Sequence, residues 1–128
     1  MNFGHSTIRL TVLAGPLEAD GQVRVSLIGE LDHDEAGRLR DAVSDTVERL
    51  APRHVTLDAA ELTFLDSAGI RALLECRDLA EKAGASLSVA EVSPIVFQVL
   101  RVTELVDYLA VTRASLPVAN GAGAERTE

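Results

Sequence analysis

At 128 residues, 47% of them hydrophobic, the chain is long enough for one domain with a real core and too short for two. A formal net charge of −8, with one Tyr, three Phe and no Trp, excludes the cationic surface and the stacking platforms that nucleic acid requires, so a protein partner is expected to be neutral or basic. The lone Cys76 builds no disulfide framework, and the sequence has neither a run approaching the roughly 20 apolar residues of a membrane span nor the start of a secretory signal, so the expected location is the cytoplasm, away from the membrane.

Residues 7–13 set Ile8, Leu10 and Val12 against Thr7, Arg9 and Thr11, and residues 22–28 set Val23, Val25 and Leu27 against Gln22, Arg24 and Ser26. This period of two predicts two strands, and Gly15-Pro16 with Asp20-Gly21 between them predicts an antiparallel hairpin. Ala36, Leu39, Val43, Val47 and Leu50 then form one face of a helix over 35–50. Asp32 or Asp34 supplies its N-cap, acids occupy its first turn, and Pro52 ends it. Residues 54–58 read as a short strand, and the apolar run 62–65 leads to Asp66-Ser67, where a second helix opens. Its stripe is Ala72, Leu73, Cys76, Leu79, Ala80 and Ala83, with Gly84 as the left-handed residue past its end. Leu73, Cys76 and Leu79 belong to the core; Arg71, Glu75 and Asp78 are the solvated side.

Residues 86–90 predict another strand, Ser93-Pro94 a cap and first position of a helix to about Arg101, and 108–111 a last short strand. Residues 1–6 read as a frayed start, and 114–128, small, polar and Gly-rich, as a disordered tail. The order is β-β-α-β-α-β-α-β. It predicts an α/β domain with a mixed, mostly parallel sheet opened by an antiparallel strand.

Loops that follow parallel strands collect at one edge of the sheet. That brings Asp32 and Ser67 together although they lie 35 positions apart. They form either one recognition surface or merely two helix caps. Asp32-His33-Asp34 opens a helix with side chains that diverge, so no metal site is expected. A serine at a strand-to-helix turn also fits a hydrolase nucleophile with His33 as base, but the glycine such an elbow needs at position 65 is Leu. His54 starts its strand at the far end of the sheet, and His5 lies in the frayed start. There is no glycine-rich phosphate loop, and the single lysine, Lys82, is at the end of a helix. Neither a catalytic residue nor a cofactor is predicted.

Gly29-Glu30-Leu31-Asp32-His33, then Phe64-Leu65-Asp66-Ser67-Ala68-Gly69-Ile70, then Ser93-Pro94 resemble the anti-sigma factor antagonists, the bacterial family of the STAS domain. The resemblance covers about residues 5–113. It implies a STAS-like single domain and a non-enzymatic phosphoprotein that regulates transcription by partner switching. Ser67 would be phosphorylated by a partner that is both anti-sigma factor and serine kinase. The unphosphorylated form would bind that partner and free a sigma factor, and a serine phosphatase could reset the switch. Asp32, His33, Asp66, Ser67, Ala68, Gly69 and Arg71 would make the binding surface. Two departures stand out: Ala68 replaces a serine common in the family, and the tail supports no further C-terminal helix.

Phosphate at Ser67 would add about −1.5 to −2 charges beside Asp66 and Asp32, repelling a docked partner. A helix N-terminus accommodates an anion, so the fold would persist. Gly69 is expected to serve tight packing against a strand. The reading that competes with the switch is a STAS-type scaffold or small-ligand module in which Ser67 only caps its helix.

Overall fold

The computed structural model describes residues 8–114. The expected frayed start, the first residues of the domain (5–7) and all of the expected tail except Ala114 lie outside them. The elements are β1 (Leu10–Ala14), β2 (Gln22–Leu31), α1 (Ala36–Leu50), β3 (His54–Leu65), α2 (Ser67–Lys82), β4 (Ser86–Ala90) and α3 (Pro94–Val102). One sheet holds the strands in the order β1-β2-β3-β4, with β1 antiparallel to β2 and the other pairs parallel. The predicted order is therefore observed as far as α3.

Beyond α3 the chain returns along β4. Val89 N–H donates to Leu109 O at 3.1 Å, Thr112 N–H to Val89 O at 3.0 Å and Ala114 N–H to Val92 O at 3.0 Å, and Val92 bridges Arg113 in parallel. The last strand expected over 108–111 is not formed: residues 108–110 are turn, and only an isolated bridge at Arg113 and a few backbone bonds join this segment to the end of β4. Ala110, with φ of 48°, is part of that turn.

Alternation decides which face of the sheet is buried. Val23, Val25 and Leu27 of β2, Val55, Leu57 and Ala59 of β3, and Leu87 and Val89 of β4 are buried, whereas Gln22, Arg24 and Ser86 between them are exposed. Against the apolar face pack Leu39, Val43 and Val47 of α1 and Ala72, Leu73, Cys76 and Ala80 of α2. Each fully buried Leu or Val contributes about 1.5–3 kcal/mol relative to exposure. Of the stripe read from the sequence, Ala83 is exposed and Leu79 is half-buried; both line a shallow depression beside Val47 of α1. Gly84 takes the expected left-handed conformation, φ +84°.

β3 is longer than its sequence suggests. Residues 59–61, Ala-Ala-Glu, break the alternation, yet pairing with β2 continues across two register shifts, Ser26/Ile28 and Gly29/Glu30. These let nine steps of β2 match eleven of β3, from Gln22 opposite His54 to Leu31 opposite Leu65. The two strands therefore end level, and the residues that follow them, Asp32 and Asp66, start from adjacent points.

Candidate functional site

The corner where β2 and β3 end is held by the Asp66 carboxylate. Asp66 is extended, φ −108° and ψ −174°, and is the N-cap of α2. Its Oδ1 accepts from Gly69 N–H at 2.8 Å and its Oδ2 from His33 N–H at 3.3 Å. One side chain thus caps the helix and ties down the loop from the neighbouring strand. The helix comes unusually close to that strand: a Cβ on Gly69 would lie 2.4 Å from Leu31 O and 2.8 Å from Leu65 Cδ1. Gly69 serves the tight packing expected of it.

With Asp66 as the cap, Ser67 is the first residue of the helix proper. It is exposed, and its hydroxyl makes no hydrogen bond to any of the described residues. Of the two readings left open for Ser67, the structure does not show the helix cap. Asp66 carries the longer-reaching oxygen at the position where the chain is still extended, and Ser67 is already helical.

The first helix has the cap oxygen expected of it but lacks the acids expected in its first turn. Its formal cap, Glu35, makes no capping bond through its side chain, and its first turn holds no acid. The cap oxygen comes from Asp32, whose Oδ1 accepts from Asp34 N–H at 3.0 Å and Glu35 N–H at 3.2 Å. Asp32 Oδ2 faces Arg9, with Nε at 3.2 Å and Nη2 closer. The Arg9 guanidinium holds the Asp32 carboxyl below the usual carboxylate range, and Asp32 and Asp34 raise Arg9 in return. Glu35 is buried; it accepts from Arg9 N–H at 3.2 Å and from Arg38 Nε at 2.9 Å.

Ser67 lines an open depression of about 640 Å³ together with His33, Ala36, Arg40, Ala68, Arg71 and Glu75. Asp32 is adjacent along the backbone, but its side chain faces Arg9 and is not part of this lining. Of the two aspartates expected near Ser67, Asp32 is matched by a guanidinium, whereas Asp66 keeps its charge and accepts from two neutral amides. Arg40 Nη1 pairs with Glu75 Oε1 at 2.9 Å, and Arg71 is exposed with no ion-pair partner among the described residues. The lining itself carries two guanidiniums and one carboxylate, an excess of one positive charge in a chain of net −8, with the Asp66 carboxylate beside it. The His33 ring lies 3.4 Å from Asp34 Oδ1 and makes no hydrogen bond to Ser67.

Arg40 and the role of Glu75 are not evident from the sequence. Their pairing depends on α1 and α2 lying side by side, which no local pattern encodes. The other nucleophile and base are remote or inert. Burial pushes the Cys76 thiol up to about 12, so it stays protonated. His54, at the far end of β3, pairs Nε2 with Ser88 Oγ at 2.9 Å, and burial lowers its pKa.

Residues 16–112 match the family model described as "Mlab, STAS domain". The chain belongs to the STAS domain family. An anti-sigma F factor antagonist of Paenibacillus polymyxa is 31% identical over 85 residues, covering 66% of this chain and 73% of that protein. Among solved structures, an anti-sigma factor antagonist from Mycobacterium paratuberculosis superposes with a TM-score of 0.69 at 24% identity, covering 80% of this chain and 85% of its own. The anti-sigma factor antagonist SpoIIAA has a TM-score of 0.68 in its unphosphorylated form at 22% identity, covering 82% of this chain and 89% of its own. The phosphorylated form of SpoIIAA, from Bacillus, gives 0.62 at 21%, covering 82% and 92%. At these identities the structures establish the shared fold alone. Among the described residues, no helix of this STAS domain is long and apolar enough to cross a membrane.

Proposed function

We propose that this STAS protein is a cytoplasmic, non-enzymatic anti-sigma factor antagonist, switched off by phosphorylation of Ser67. In its unphosphorylated form it binds an anti-sigma factor that is also a serine kinase, and a sigma factor is released. The binding surface comprises Asp32, His33, Asp66, Ser67, Ala68, Gly69 and Arg71, with Asp32 acting through the loop it shapes and the buried Gly69 through the close packing of α2 on Leu31. The observation that carries this reading is the uncommitted hydroxyl: because Asp66 caps α2, Ser67 can be modified at no cost to the fold.

The transfer needs nothing from this chain except that oxygen. The kinase brings ATP and magnesium. Ser67 Oγ forms a bond to the γ-phosphorus, the bond from that phosphorus to the bridging oxygen breaks, ADP leaves, and the hydroxyl proton goes to a base on the kinase. Docking would then have to bury about −1.5 to −2 charges that were absent before. An uncompensated anion in an interface costs roughly 3 kcal/mol or more, about a hundredfold in affinity. A serine phosphatase would restore binding.

The test is incubation of the protein with candidate anti-sigma kinases and Mg-ATP, followed by mass spectrometry to locate the phosphate. A single phosphate on Ser67, absent in Ser67→Ala, is expected, and Ser67→Asp should bind the partner about a hundredfold more weakly by calorimetry. Undiminished binding by Ser67→Asp overturns the switch. Absence of phosphate on protein taken from its native cells across growth conditions would leave a STAS scaffold.

A further inference from the structure

We infer that Arg71 is the counter-ion of the phosphorylated state: its guanidinium closes onto the phosphate carried by Ser67. The inference rests on Ser67 being the modified residue and adds what the molecule does with the phosphate once it is there. Ser67 and Arg71 stand four residues apart on α2 and line the same depression. At that spacing their Cβ atoms are about 5–6 Å apart on one helix face. Helical side chains lean back toward the N-terminus, which directs Arg71 toward the turn bearing Ser67.

The neighbouring charges leave this role to Arg71. Glu75, four residues beyond Arg71, is the carboxylate that would ordinarily pair with it, but its Oε1 is engaged by Arg40 of α1 at 2.9 Å. Arg9 and Arg38 are held by Asp32 and Glu35, outside the depression. Of the amides in the first turn, that of Gly69 is taken by Asp66, and those of Ser67 and Ala68 are open to the phosphate alongside Arg71. Arg71 is the cation in the lining whose charge nothing among the described residues has matched. A guanidinium presents a planar fork that fits two phosphate oxygens at once. Phosphorylation would then do two things together: it adds an anion to the docking face, and it withdraws from that face a cation that an acidic group on the partner could otherwise meet.

The experiment is a ³¹P NMR titration of the full chain with phosphoserine installed at position 67 during translation, so that no kinase is involved. Every arm carries His33→Gln, so that the imidazole lining the depression makes no contribution to the phosphate signal. The second ionisation of the phosphate is expected to fall below its ordinary value of about 6, and in Arg71→Ala to rise again by about half a unit or more. Arg71→Lys should recover only part of the difference, and added salt should shrink it. Arg71 is exposed, so its variants fold. Identical titration curves for the parent and Arg71→Ala overturn the inference while leaving modification of Ser67 untouched. Conversely, if no kinase modifies Ser67, the titration still reports on Arg71, since the phosphate is placed without one.

Discussion

The two helix entrances at the end of β2 and β3 begin alike, each with an aspartate just after a leucine, and end in opposite conditions. At the entrance to α1 every carboxylate oxygen has work: Asp32 holds two amides and a guanidinium, and Glu35 holds an amide and Arg38. At the entrance to α2 one carboxylate, Asp66, satisfies both the helix and the adjacent loop, and Ser67 and Arg71 are left without partners among the described residues. The first entrance is saturated and therefore structural. The second has its structural needs met by a single residue, which frees the next one for chemistry.

Gly69→Ala should break the arrangement most severely. The added methyl meets a backbone oxygen at 2.4 Å that cannot swing away, so urea denaturation should show a loss of about 2–3 kcal/mol. An unchanged midpoint would mean that the entrances are not wedged together as described. Asp66→Ala comes next, at about 1–2 kcal/mol, because two amides lose their acceptor; Asp66→Asn should restore most of it. A third effect is confined to acid. Arg9 lowers the pKa of Asp32 in the folded state, so this pair contributes stability above the ordinary aspartate range that disappears as pH falls through the folded value. Thermal melting against pH should therefore decline less steeply in Arg9→Gln than in the parent. The smallest effect sharpens the contrast most. Ser67→Ala should change stability by no more than about 0.5 kcal/mol, and a larger loss would make the hydroxyl structural after all.

Much of this was legible in the sequence where the signal is local. The 3.6 period placed the stripes of both long helices, Gly84 marked an end, and Ser93-Pro94 marked a beginning, with Ser93 Oγ accepting from Val96 N–H. What was not legible depends on neighbours distant in the chain. Asp66 and Ser67 are both good caps, and only the backbone path, still extended at Asp66, decides between them. The pairing of Arg9 with Asp32 requires the antiparallel register of β1 on β2, and that of Arg40 with Glu75 requires two helices side by side. The full length of β3 was hidden because Ala59, Ala60 and Glu61 look like a loop until a partner strand is laid against them. Net charge is uninformative for a related reason: −8 averages over the whole surface, whereas two arginines and one glutamate gather in one depression.

The paired register shifts between β2 and β3 carry one more implication. A strand inverts the direction of its side chains with every residue gained or lost, so removing a single residue from 59–61 would leave most of the ladder able to form while turning Asp66 over. The cap would then point away from Gly69 and His33, and the hydroxyl beside it would be presented at a different angle. The address of Ser67 is fixed by counting along two strands as much as by the amino acids at the corner itself.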